Sequence, residues 1–77
     1  MPKCFSKYKK LAKNIKKFRK RKGLTQTQLA DLAHTTRSYI SKIEAPSPER
    51  GFSMNIFFAI ADALQVSESE LLDFEDE

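Results

Sequence analysis

Apolar residues recur along the chain at helical rather than alternating spacing, in five blocks set apart by capping residues, glycine or proline. Phe5, Tyr8, Leu11, Ala12, Ile15 and Phe18 share one face and predict an amphipathic helix over about residues 6–21, which Gly23 ends. Thr25 with Gln28 three residues on is a capping box, in which hydroxyl and amide satisfy first-turn donors reciprocally. It opens a second helix at about 26–33, whose apolar face is Leu29, Ala30, Leu32 and Ala33. A turn at His34-Thr35 follows, and Thr36 caps a third helix at about 37–44 that Ile40 and Ile43 would seat. The segment APSPERGF cannot continue it, because Pro46 and Pro48 lack donors and Gly51 permits unusual dihedrals. Ser53 then caps a fourth helix at about 54–64, and Ser67 with Glu70 forms a second capping box for a fifth at about 68–73. The fold class expected is all-α: one compact five-helix domain over residues 1–77, with its core at about 6–74.

Leu24 to Glu44 therefore reads as two short helices joined by one tight turn, a helix-turn-helix, with Ala30 small where the two must cross. The residues Ile15, Arg19, Gly23-Leu24-Thr25-Gln26, Leu29-Ala30, Thr36, Ile40-Ser41 and Ile43-Glu44 stand in order in the first part of the chain. Ile60-Ala61, Ala63-Leu64, Val66-Ser67 and Glu70-Leu71 extend the series. In this ordered set the chain resembles the phage repressor and Cro type of helix-turn-helix domain, over about Leu11 to Leu72. It departs from that pattern at His34, where the family's turn usually has Gly. It departs again after Glu44, where Ala45-Pro46 and a loop about two residues longer replace the family's Gly and shorter connection.

The resemblance implies sequence-specific binding of double-stranded DNA by a transcriptional regulator, a repressor, whose third helix reads the bases. The major groove admits one helix and carries the legible base edges. Residues on the exposed N-terminal half of helix 3 can reach them, so Arg37, Ser38 and Lys42 are base-reading candidates, flanked by Tyr39 and Ser41. Arg37 suits guanine, whose O6 and N7 accept two hydrogen bonds. Phosphate contacts are expected at the start of helix 2, from Gln26 with Thr25, and from Thr36 at the start of helix 3. The family pairs the positions of Arg19 and Glu44 across helices 1 and 3, which makes these two structural.

Charge sharpens this picture. Residues 1–22 hold eleven Lys and Arg and no acid, while residues 61–77 hold seven Asp and Glu and no base, so the net charge of +4 understates a strong dipole. One end suits a polyanion and the other repels it. A chain of 77 residues buries only about 60% of the surface its unfolded form exposes, which leaves no room for a deep cleft. With one His, one Cys and no phosphate-cradling glycine loop, neither an enzyme nor a metal or cofactor site is expected. His34 reads as a turn residue. No apolar run approaches the ~20 residues of a membrane span, and MPKCFSKYKK lacks the apolar stretch of a signal peptide. Cys4 stands alone, so a reducing, cytoplasmic setting is expected.

Helix 4, MNIFFAIADAL, is apolar around too much of its circumference for one buried face. Phe57, Ile60, Ala61 and Leu64 are placed in the core, leaving Met54 or Phe58, with Phe52 and Phe74, to fill the long loop or meet a twin subunit. A homodimer is favoured on functional grounds, since two copies read two half-sites; a slightly larger monomeric core competes with it. A lysine-rich amphipathic first helix also fits a membrane surface, but its apolar stripe is needed inside the domain. An antitoxin-like module that binds an unidentified protein partner through the same fold is the alternative.

Overall fold

The structure, a computed structural model, describes residues 3–45 and 52–73, with side chains from Lys7 onward. It contains α1 (Lys3–Arg21), α2 (Gln26–Leu32), α3 (Arg37–Ile43), α4 (Met54–Leu64) and α5 (Glu68–Leu71), and no strand among the described residues. The expected turn chemistry at Pro46, Pro48 and Gly51 lies outside the described residues, as do Phe74 and the side chains of Cys4 and Phe5. Two helices differ in extent from the sequence pattern. α1 begins three residues earlier, since Lys3, Cys4 and Phe5 carry no helix-breaking group. α5 ends two residues sooner, with Leu72 as its C-cap and the Asp73 carbonyl taken by Asn14 rather than by another helical turn.

The caps explain why these short segments are helices. Thr25 accepts from the Gln28 N–H at 3.0 Å while Gln28 Oε1 accepts from the Thr25 N–H at 2.8 Å. Ser67 and Glu70 make the same reciprocal pair, and Thr36 and Ser53 cap α3 and α4 through their hydroxyls. A helix of seven residues is marginal alone in water, so α2 and α3 depend on these caps and on packing. α2 packs against α3 and α4, and α1 lies against α4 and α5. At 19 residues α1 is about 28 Å long, nearly the 32 Å of the whole molecule, so it acts as a backing strut.

Ile15, Leu29, Ile40, Ile60, Leu64 and Leu71 are fully buried, one or two from every helix. Each is worth about 1.5–3 kcal/mol over an exposed side chain. Ala30 is buried in the seam between α2 and α3, and Phe57, Ala61 and Leu64 line the core from α4. Asn14 is also buried, and its Nδ2 donates to the Leu71 carbonyl at 2.8 Å and the Asp73 carbonyl at 3.3 Å, tying the end of α5 to the middle of α1.

Three helices end alike. After α1, α2 and α4 the chain passes through a left-handed residue, Gly23 (φ 73°), His34 (φ 60°) and Gln65 (φ 60°). In each case the next N–H reaches back five residues: Leu24 to the Arg19 carbonyl, Thr35 to Ala30 and Val66 to Ala61, at 2.9–3.1 Å. This closure satisfies the last carbonyls of the helix and reverses the chain.

Candidate nucleic-acid interface

α3 presents two unlike sides. Ile40 and Ile43 are buried, and Glu44 at its C-cap is buried with them, while Arg37, Ser38, Ser41 and Lys42 are exposed. At about 100° per residue these four exposed positions fall on one side of the helix. Tyr39 belongs to neither group: it is half-buried and packs against the core, so less of it is presented to a groove than of its neighbours. Thr36 is exposed, with its Oγ1 accepting from the Tyr39 N–H at 3.1 Å. Thr25 occupies the matching place ahead of α2.

A polar lock holds this helix to the body. Arg19 meets Glu44 with two bonds, Nε to Oε2 at 2.7 Å and Nη2 to Oε1 at 3.1 Å, and its Nη1 donates to the Leu24 carbonyl at 2.7 Å. The two side chains retain 10% and 2% of their exposure, so each charge has the other as its counter-ion away from water. A two-pronged guanidinium–carboxylate contact fixes direction as well as distance. Gln26 joins the same group, its Nε2 donating to Glu44 Oε1 at 3.1 Å. One buried carboxylate thus gathers the end of α1, the α1–α2 turn, the first residue of α2 and the last turn of α3.

The sequence pattern does not reveal the Gln26–Glu44 bond. Gln26 reads from the resemblance as a phosphate donor, and nothing in its spacing from Glu44 shows that a third group shares the carboxylate. Its amide nitrogen carries two N–H groups, so one is left for another acceptor. Asn14 is equally hidden, since one amide in a run of lysines reads as surface. Among the described residues no group of three or more His, Cys, Asp or Glu could hold a metal ion, and no helix is long and apolar enough to cross a membrane.

Residues 15–71 match a helix-turn-helix family model, which takes in the whole lock and all of α2 to α5. The chain belongs to the helix-turn-helix family. This is a family of DNA-binding transcriptional regulators. Among individual proteins, the chain is 38% identical over 61 residues to a competence pilus inhibition repressor of Acinetobacter baylyi, covering 79% of this chain and 54% of that one. It is 34% identical over 70 residues to the control protein C.SmaI of Serratia marcescens, covering 90% and 81%. The chain thus spans about half the length of the first relative and most of the second. In three dimensions it is similar to the crystal structure of the restriction-modification controller protein C.AhdI from Aeromonas hydrophila, with TM-score 0.79 and 30% identity over 87% of this chain and 98% of that one. This helix-turn-helix chain is therefore alike in sequence and fold to proteins named as repressors and controllers.

Proposed function

We propose that this protein binds double-stranded DNA sequence-specifically and regulates transcription, with α3 lying in the major groove. The observation that carries the reading is the exposed set Arg37, Ser38, Ser41 and Lys42 on a helix whose opposite side is fixed by the Arg19–Glu44–Gln26 lock. Arg37 and Lys42 read base edges with Ser38 and Ser41 beside them, and Tyr39 contributes through its exposed part. Thr25, Gln26 and Thr36 face the flanking phosphates, Gln26 through the amide N–H that Glu44 leaves over. The protein is a binding protein rather than an enzyme, a controller-type regulator that works in the cytoplasm without a cofactor. The controller relatives support that reading most directly, since the likeness covers most of their length.

Selection from a random duplex library tests it, because the recovered site reports specificity and symmetry together. Binding should fall steeply with salt, with a log–log slope of roughly −7 if a dimer contacts about eight phosphates. Arg37→Ala or Lys42→Ala should cost about 1–3 kcal/mol on the selected site and relax preference at a few base pairs. Equal losses on selected and scrambled duplexes would remove these residues from the reading role. Failure to recover any motif, together with capture of a protein partner at the exposed Met54, Phe58 and Leu72, would favour the protein-interaction module instead.

A further inference from the structure

α1 carries a basic surface for which the reading helix gives no use. Lys9, Lys13, Lys16 and Lys20 are all exposed, and their spacing of four, three and four residues puts them within about 60° of one another on the helix. They form a straight row about 16 Å long on the side turned away from the buried Leu11 and Ile15. Two neighbours are otherwise engaged: the Lys17 ammonium and Arg21 guanidinium lie over the Phe18 ring, 5.7 and 5.5 Å from its centroid. The row has no such occupation. Among the described residues the one ion pair is Arg19–Glu44, and residues 1–22 contain no acid. The like charges at i, i+4 repel along the helix, a strain that a bound polyanion would relieve.

The row also points away from the base-reading side. Arg19 approaches Glu44 from the side of α3 opposite the exposed Arg37, Ser38, Ser41 and Lys42, so α1 stands behind α3 as seen from a groove-bound duplex. The lysine row lies about a quarter turn further round α1 from Arg19. We propose that Lys9, Lys13, Lys16 and Lys20 form a second polyphosphate-binding face that grips the backbone of a second DNA duplex, so that the protein bridges two DNA segments. The proposal rests on the DNA-binding reading above for its first duplex. A bilayer is the weaker fit, because the apolar side of α1 is built into the core and offers nothing to insert. DNA is also the polyanion whose local concentration is raised once α3 is bound.

The test anchors the protein on an immobilised duplex bearing the selected site and measures capture of a labelled duplex of unrelated sequence. Wild-type protein should capture it, with capture falling roughly a hundredfold between 50 and 200 mM salt if four phosphates are contacted. The quadruple variant Lys9→Gln, Lys13→Gln, Lys16→Gln, Lys20→Gln should lose capture by about tenfold or more while holding a short selected site within about threefold of wild type. The matching quadruple Lys→Arg variant keeps the charges and should keep capture; a circular dichroism melt confirms that both are folded. Three results overturn the proposal: no capture by wild type, capture unchanged in the Gln variant, or parallel loss of site binding and capture. Capture of anionic phospholipid vesicles in preference to duplex at the same salt overturns the choice of partner. Loss of selectivity between selected and scrambled immobilised duplexes would count against the α3 reading alone, since capture of the second duplex is scored separately.

Discussion

His34 and Gln65 occupy backbone conformations in which a Cβ is a burden, yet both close their helices with the same hydrogen bonds that Gly23 makes. The His34 side chain is exposed and Gln65 is too, so neither recovers the cost by packing. His34→Gly should therefore leave thermal stability unchanged or slightly raise it, and Gln65→Gly should do likewise. A clear drop in the melting midpoint of either variant would reveal a side-chain contact worth more than the backbone relief. The departure at His34 is legible in the sequence, because the resemblance places Gly there; Gln65 is not, since Gln is not a residue type that announces positive φ. Asn14 is a second case of local illegibility with a sharper consequence. Its amide donates to two backbone carbonyls, so Asn14→Asp would replace donors with a carboxylate facing acceptors, and Asn14→Ala would leave the buried Leu71 carbonyl unpaired. Chemical denaturation should show a loss of about 1–3 kcal/mol for Ala and more for Asp. A neutral Asp variant would mean that this tie contributes nothing.

At the scale of elements, what can be read from the chain is whatever depends on neighbours in sequence. Both capping boxes and the hydroxyl caps on α3 and α4 are three-residue relations, and the helical apolar stripes are periodicities, so the five helices appear with ends off by one to three residues. What brings Gln26 onto Glu44 is the crossing of α2 and α3, which no local rule supplies. Ala30 governs that crossing: it retains 1% of its exposure in the seam, and its methyl leaves no space for a longer side chain. Ala30→Leu should push the two helices apart and cost about 1–3 kcal/mol by overpacking. The displacement would also stretch the Gln26–Glu44 bond, so binding to the selected duplex should weaken beyond what the melting curve accounts for. Unaltered stability and unaltered binding in the Ala30→Leu variant would show that the seam is looser than the burial of Ala30 implies.

For the whole molecule, the open question is what covers the apolar surface of α4 and α5. Phe57 is buried and Phe52 packs edge-on against Tyr8 at 5.5 Å, so part of the apolar excess of this region is spent inside the chain. Met54, Phe58 and Leu72 remain 60%, 45% and 49% exposed, and Met54 and Leu72 border an open groove of about 280 Å³ floored by Leu11 and Phe57. Exposed apolar side chains that adjoin in this way mark an interface more often than scattered ones do. A single reading helix of seven residues also has few base contacts, and a symmetric pair doubles them. The expected complex is two-fold symmetric, with two copies joined near α4 and α5 and their third helices in successive major grooves about 34 Å apart. The acids Glu68, Glu70 and Asp73 sit on or next to α5, and that end must face away from the duplex, since carboxylates near phosphates oppose binding. Sedimentation of the protein with a duplex carrying one selected site should give two protein chains per duplex, and the recovered motif should have dyad symmetry. Phe58→Asp, which buries a charge only if the face is covered, should then lower site affinity while leaving the melting midpoint of dilute protein little changed. One chain per duplex with a motif lacking a dyad would assign Met54, Phe58 and Leu72 to another partner and end the dimer reading.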